Sequence, residues 1–206
     1  MASFANGKEL DLVVGGFMRS LTRMDPIIRE VTGHFPLKMK IELWEPELII
    51  GMDLDANPMK ITSGKDVAGE AAMSGPADVF HDLLLGMVPL GAAVNRKMIL
   101  LRGPMSHLTA GAPMFFVSPY IYPFYLESIG RADLVAPGTI PLLHGENSKE
   151  GVMNTIVSKV AYISGMGLGF LKSKIAKDLD ILAALEQMGK GMAKTSGNPE
   201  NQSQDH

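Results

Sequence analysis

The chain contains no cysteine among its 206 residues. This absence excludes a disulfide framework and any thiolate metal site, and it is compatible with a reducing compartment. A basic excess is also missing, because 19 lysines and arginines stand against 22 aspartates and glutamates, which gives a net charge of −3. Nucleic-acid-binding domains usually carry a basic footprint. We therefore expect no nucleic-acid partner.

Long apolar runs are missing as well. The longest candidate, residues 160–171, contains three glycines and is too short, because a transmembrane helix needs ~20 predominantly apolar residues. The first twelve residues include Lys8, Glu9 and Asp11, so they lack the continuous apolar region of a secretory signal. Together these absences predict a cytoplasmic protein.

Methionine is the residue type in excess, with 15 copies. Its side chain is flexible and polarizable, so it fills irregular gaps in cores and lines adaptable binding surfaces. Core filling is the ordinary explanation for any single methionine, but the collective excess favours a deformable apolar site. The length of the chain suits one domain, or one domain with an appendage.

The order of helices and strands follows from the spacing of apolar residues. Recurrence every three or four positions predicts a helix, whereas alternation or a short apolar run predicts a strand. Helices are predicted at residues 9–24, 77–85, 89–96, 104–117, 152–170 and 178–192. Strands are predicted at residues 38–44, 48–54, 59–62, 67–73 and 98–101. Residues 119–125 are rich in aromatic residues and proline, and they could pack in the core, close a tunnel or face a membrane.

No arrangement of residues predicts catalysis. His81 and Asp82 are adjacent, and adjacent helical residues point about 100° apart, so they do not form a dyad. Ser164 lacks the glycine that a nucleophile elbow has two positions earlier, because Tyr162 stands there. The glycine-rich residues 165–169 follow a helical pattern and do not fit a dinucleotide-binding loop. The histidines show no metal-ligand spacing. We therefore expect no catalytic residue, no metal site and no cofactor.

A characteristic series of segments occupies residues 38–103. Amphipathic strands are followed by a strand that ends near Met73-Ser74-Gly75 and by a helix from Ala77 to Leu85 that closes at Gly86. A short helix with Ala92 and Ala93 then precedes the run Lys97-Met98-Ile99-Leu100-Leu101-Arg102-Gly103. In this order and character the region resembles the sterol carrier protein 2 family of lipid-binding domains.

The resemblance implies an α+β fold, in which helices cover a mostly antiparallel five-stranded sheet and an apolar tunnel lies between the two layers. It also implies a bound sterol, fatty acyl or isoprenoid ligand and no catalytic residue. Residues after Phe116 have no clear counterpart in the family core. The tunnel would be lined by apolar side chains at Phe80, Leu83, Leu84, Met87, Val88, Leu100, Met114, Phe115 and Phe116.

We divide the chain into a lipid-binding domain at residues 1–135, a helical C-terminal extension at residues 136–194 and a flexible tail at residues 195–206. The expected function is a non-enzymatic carrier of a lipid or another apolar small molecule. Two alternatives remain open: an accessory module that docks a membrane or a partner enzyme and presents a lipid, and an enzyme for hydrophobic substrates. Lysines beside the late amphipathic helices could provide peripheral membrane contact. The oligomeric state is not indicated.

Overall fold

A computed structural model of the protein describes residues 3–25, 28–29, 36–64 and 67–135, without the side chains of Met24, Pro113, Phe116 and Val117. The predicted C-terminal extension at residues 136–194, with its helices, and the predicted tail at residues 195–206 lie outside the described residues.

Five strands form one sheet. They are β1 (Lys38–Trp44), β2 (Leu48–Asp53), β3 (Lys60–Ser63), β4 (Ala71–Pro76) and β5 (Leu100–Arg102). The order across the sheet is β3-β2-β1-β4-β5. β1 and β4 run parallel, and the other three neighbouring pairs are antiparallel. The prediction of a mostly antiparallel five-stranded sheet is therefore confirmed.

The alternation of side chains gives the sheet two different faces. Met39 and Ile41 of β1 are buried, whereas Glu42 points to the opposite side. Ile41 lies opposite Ile50 of β2 and Met73 of β4, so the same buried face continues across the neighbouring strands. We call this the core face and the opposite side the outer face.

An N-terminal helical segment runs from Gly7 to Met24. It consists of α1 (Gly7–Leu10), a π-helical turn (Asp11–Gly15), α2 (Gly16–Ser20) and a 3-10 turn (Leu21–Met24). Asn6 caps the segment, because its side-chain oxygen accepts the backbone N–H groups of Lys8 and Glu9, both at 3.0 Å. The segment corresponds to the helix predicted at residues 9–24.

Further helices in the described ranges are α3 (Ala77–Leu84), α4 (Leu90–Asn95) and α5 (Met105–Ser128), followed by a 3-10 turn (Ala132–Leu134). α3 and α5 both contact β1 and β4, and α2 contacts β3. Gly111 of α5 lies against the core face, since a Cβ atom at this position would be 3.4 Å from the sulfur of Met39. The helices thus cover the core face, which confirms the predicted α+β architecture.

The helix predicted at residues 104–117 is longer in the structure. α5 continues through Pro119 and Pro123 to Ser128, although a proline inside a helix removes one hydrogen bond. Pro119 has no N–H to offer the carbonyl of Phe115, and the hydroxyl of Ser118 donates to that carbonyl instead, at 3.2 Å. A side chain therefore replaces the missing backbone donor and lets the helix pass this proline.

Core packing is the outcome for the three tyrosines of the aromatic stretch at residues 119–125, whereas Phe124 is only partly buried. Tyr122 and Tyr125 are both buried in the main hydrophobic core, and Tyr120 is partly buried against it. None of the three is an exposed lid or a membrane-facing side chain.

Candidate functional site

An apolar pocket lies where the N-terminal segment, the end of α3 and the middle of α5 meet. It offers about 20 Å³ of space to the centre of a water molecule, which is room for about one water. A hydrocarbon tail enters only if the wall side chains move. The wall consists of Phe17, Met18, Leu21, Ile28, Leu84, Met114, Phe115, Ser118 and Ile121.

The chemistry of the wall is almost entirely apolar. Among the described residues of the wall, Ser118 alone has a polar side chain, and its hydroxyl is already bonded to the Phe115 carbonyl. Met18 and Met114 lie on the wall, where their unbranched side chains can change rotamer at low cost. The pocket therefore suits a flexible hydrocarbon better than a ligand that needs hydrogen-bond partners.

Aromatic contacts hold one side of this pocket in place. The ring of Phe17 packs against those of Tyr122 and Tyr125, with ring centroids 4.7 and 5.5 Å apart. The hydroxyl of Tyr125 donates to the carbonyl of Leu12 at 2.9 Å, so it joins α5 to the π-helical turn. The ring of Phe17 therefore packs on two tyrosines of α5, one of which is hydrogen-bonded to the π-helical turn.

Three of the tunnel residues predicted from sequence lie on the wall of this pocket, namely Leu84, Met114 and Phe115. Phe80 stands directly behind the wall, because its ring meets that of Phe115 edge-on at 5.7 Å. Leu83 is buried in the same core. These five residues form a continuous apolar region between α3 and α5.

The other predicted tunnel residues are not brought to this pocket. Met87 is exposed after α3, and Val88 is partly buried against the core. Leu100 is exposed and lies opposite Ser74, which stands next to Met73 of the core face and therefore on the outer face. The side chain of Phe116 lies outside the described residues.

Sequence reasoning missed the contribution of the N-terminal segment to the pocket. Phe17, Met18 and Leu21 line it, together with Ile28, Ser118 and Ile121. The apolar stripe of the segment was visible in the sequence, but such a stripe indicates only which side of a helix is buried. It does not indicate whether the neighbouring space is filled.

The side chain of His81 is buried, and both of its ring nitrogens have hydrogen-bond partners inside the protein. Its Nε2 atom lies 3.0 Å from the carbonyl oxygen of Leu134, and its Nδ1 atom lies 2.9 Å from the hydroxyl oxygen of Tyr122. A carbonyl only accepts, so Nε2 carries the proton and Nδ1 accepts from Tyr122. Burial lowers the pKa of His81, opposed by the Leu134 carbonyl and the carboxylates of Asp82 and Asp78. Neither ring nitrogen is directed at the pocket or at Asp82.

Two other structural features are absent from the described residues. No group of three or more histidine, aspartate or glutamate side chains in these ranges is arranged to hold a metal ion. No helix within the same ranges is both long enough and apolar enough to cross a membrane.

Comparison with protein-family models gives no match, and comparison with curated proteins gives no significant one. Solved structures do match. Sterol carrier protein 2 from Yarrowia lipolytica in its apo form is 12% identical, with a TM-score of 0.43, over 56% of this chain and 97% of that one. Sterol carrier protein 2 like 2 from Aedes aegypti is 15% identical, with a TM-score of 0.32, over 47% and 95%.

A third match is a conserved hypothetical protein from Thermus thermophilus, which is 13% identical, with a TM-score of 0.39, over 58% of this chain and 94% of that one. The first two of these three structures carry the name sterol carrier protein 2.

Proposed function

We propose that this protein is a non-enzymatic lipid carrier that holds a sterol, fatty acyl or isoprenoid ligand in the pocket between the N-terminal segment, α3 and α5. The observation that carries the proposal is the wall of this pocket, where the single polar side chain in the described part of the chain, that of Ser118, already has its hydrogen-bond partner within α5. A hydrocarbon leaves no polar group of that wall without a partner.

The pocket opens on binding. Its ligand-free volume is room for about one water, so Met18, Met114 and the ring of Phe115 move aside when a tail enters. Methionine makes such movement inexpensive, because three rotatable bonds give it several rotamers that fill space equally well.

The energies permit useful affinity without a charged anchor. An acyl chain of about sixteen carbons gains ~13 kcal/mol at ~0.8 kcal/mol per buried methylene. Association alone costs at least ~4 kcal/mol, and parting the wall costs more. The net binding free energy is therefore at most ~9 kcal/mol in favour of the complex, which corresponds to a dissociation constant around micromolar.

The ligand site proposed here differs from the tunnel expected under α3. It lies at the end of that helix and uses Leu84, Met114 and Phe115 from the expected set. A carrier function also agrees with the environment of His81, whose two ring nitrogens are engaged inside the core.

The test begins with the purified full chain. Organic extraction followed by mass spectrometry should recover a lipid, and a fluorescent fatty acid should bind and be displaced by competing lipids. If no lipid is recovered and the fluorescent fatty acid does not bind, the proposal is contradicted.

A pair of matched variants locates the site. Leu84→Phe places a ring in the pocket, whereas Leu54→Phe overpacks another buried leucine that is not part of the wall. Overpacking costs ~1–3 kcal/mol, so Leu84→Phe should weaken probe binding by about tenfold or more. Leu54→Phe should lower stability to a similar extent but leave probe affinity unchanged.

A further inference from the structure

The edge strand β5 and the turns on both sides of it expose large apolar side chains together with cations. Arg96 and Lys97 are exposed before the strand, Leu100 and Arg102 within it, and Met105 at the start of α5. Leu100 has 48% of its surface exposed and Met105 has 73%. We call these five residues the β5 edge.

The five residues of the β5 edge are all exposed and lie within ten consecutive positions of the chain. The chain around it carries no negative charge, since no aspartate or glutamate occurs between Asp82 and Glu127. Within the part of the chain that the structure describes, Arg96 and Lys97 form no ion pair. Their charges are therefore available to a partner.

Acidic side chains from neighbouring strands do not cancel this charge. Glu42 Oε2 contacts Nη2 of Arg102 at 2.6 Å, but Oε1 of Glu42 also contacts Nζ of Lys40 at 2.7 Å, so two cations share one carboxylate. Glu70 pairs with His107 at 2.9 Å. Arg96, Lys97, Arg102 and Lys40 therefore outnumber the two carboxylates of Glu42 and Glu70, even when the charge of Glu70 is counted in full.

Cations on an edge strand often serve only to prevent pairing with another sheet. That role explains Arg102, but it does not explain why Leu100 and Met105 are exposed beside it. Apolar side chains that enter the interfacial layer, flanked by cations that contact anionic headgroups, are the combination that peripheral membrane proteins use. We propose that the β5 edge docks this protein on the surface of a bilayer that contains anionic lipids.

Vesicle flotation of the full chain tests the charge component. Binding should be strong to phosphatidylcholine vesicles that contain phosphatidylserine, weak to phosphatidylcholine alone, and reduced by salt. The variant R96Q/K97N should lose about twenty-five-fold in affinity, at about fivefold for each cation. Asparagine is chosen for Lys97 because its backbone φ is 58°, a conformation that asparagine tolerates.

The matched control is R23Q/K60Q, which removes the same charge. Arg23 and Lys60 are exposed, and Lys60 belongs to β3, the edge strand at the other side of the sheet. This control should retain nearly all binding. An equal loss in both variants would mean that net charge alone is responsible, and it would overturn the proposal.

The apolar component has its own pair of variants. L100T/M105Q should weaken binding to the anionic vesicles, whereas Leu12→Gln, at a side chain 52% exposed on the N-terminal segment, should not. The proposal is also overturned if the protein binds no vesicles, binds both compositions equally, or uses the β5 edge only for self-association in sedimentation. Docking does not depend on the pocket, so a protein that floats with vesicles but contains no lipid keeps the membrane surface and loses the carrier function.

Discussion

His81 joins three parts of the protein, because its own helix, Tyr122 of α5 and the carbonyl of Leu134 meet at its ring. Burial holds its pKa below the ordinary value of 6.5. Below about pH 6.5 the unfolded chain therefore takes up a proton that the folded protein resists, and stability falls as the pH decreases. We expect the free energy of unfolding, measured with urea and circular dichroism, to drop by up to ~1.4 kcal/mol per pH unit there.

The variant His81→Gln separates this effect from general acid sensitivity. It should be ~1–3 kcal/mol less stable at neutral pH, because a buried hydrogen bond is lost or weakened, and its stability should change less with pH in the acidic range. The control Ser118→Ala, which removes a buried hydrogen bond but no titratable group, should keep the native pH dependence. If the control rather than His81→Gln flattens the profile, the buried ring of His81 is not the sensitive group.

Burial of individual residues could be predicted from spacing only where the pattern was unambiguous. The helical stripe of α3 predicted that Phe80, Leu83 and Leu84 would be buried, and all three are. The apolar run at residues 98–101 did not distinguish the faces of a strand, so Leu100 was expected inside and lies on the outer face. An alternating strand pattern identifies its faces, but a continuous run does not.

At the scale of elements, the passage of α5 through Pro119 is supported by the hydrogen bond from the Ser118 hydroxyl to the Phe115 carbonyl. Ser118→Ala should cost ~1 kcal/mol of stability, because the Phe115 carbonyl loses the donor that compensates for Pro119. Pro119→Ala returns a backbone N–H to that carbonyl. In the Pro119→Ala background, Ser118→Ala should therefore cost little, and urea unfolding of the four proteins gives the coupling as a double-mutant cycle. Additive effects of the two substitutions would show that the hydroxyl does not replace the proline's missing donor.

The length of α5 illustrates why element boundaries were harder to predict than element types. Pro119 and Pro123 are strong helix-breaking signals in a sequence, and they suggested an end near Val117. The signal is overridden here because Ser118 supplies one missing donor and because Tyr122 and Tyr125 fill the core only if the helix continues. The first cause depends on the rotamer of Ser118, and the second depends on packing between distant parts of the chain. Neither could be identified from the periodicity of the sequence.

At the scale of the whole molecule, the sheet was more predictable than the pocket. Alternation in β1 and the short apolar segments around it indicated five strands. The pocket needed three elements that are distant in sequence, since Phe17, Leu84 and Phe115 meet only in the folded chain. A single sequence shows which surfaces are apolar, but it does not show where the packing between them is incomplete.

The proposed lipid-binding domain at residues 1–135 gives a final prediction. The last described residues tie back to the rest of the fold: Arg131 Nη1 contacts Glu9 Oε1 at 2.6 Å, and the Leu134 carbonyl contacts His81. A chain that ends at Val135 should therefore unfold cooperatively in urea and retain binding of the fluorescent fatty acid. A chain that ends at Gly130 lacks both ties and should be ~1–3 kcal/mol less stable than the one that ends at Val135. If the longer fragment fails to fold, residues beyond 135 belong to the same folding unit and the boundary is wrong; if the two fragments are equally stable, the contacts of Arg131 and Leu134 contribute nothing to the fold.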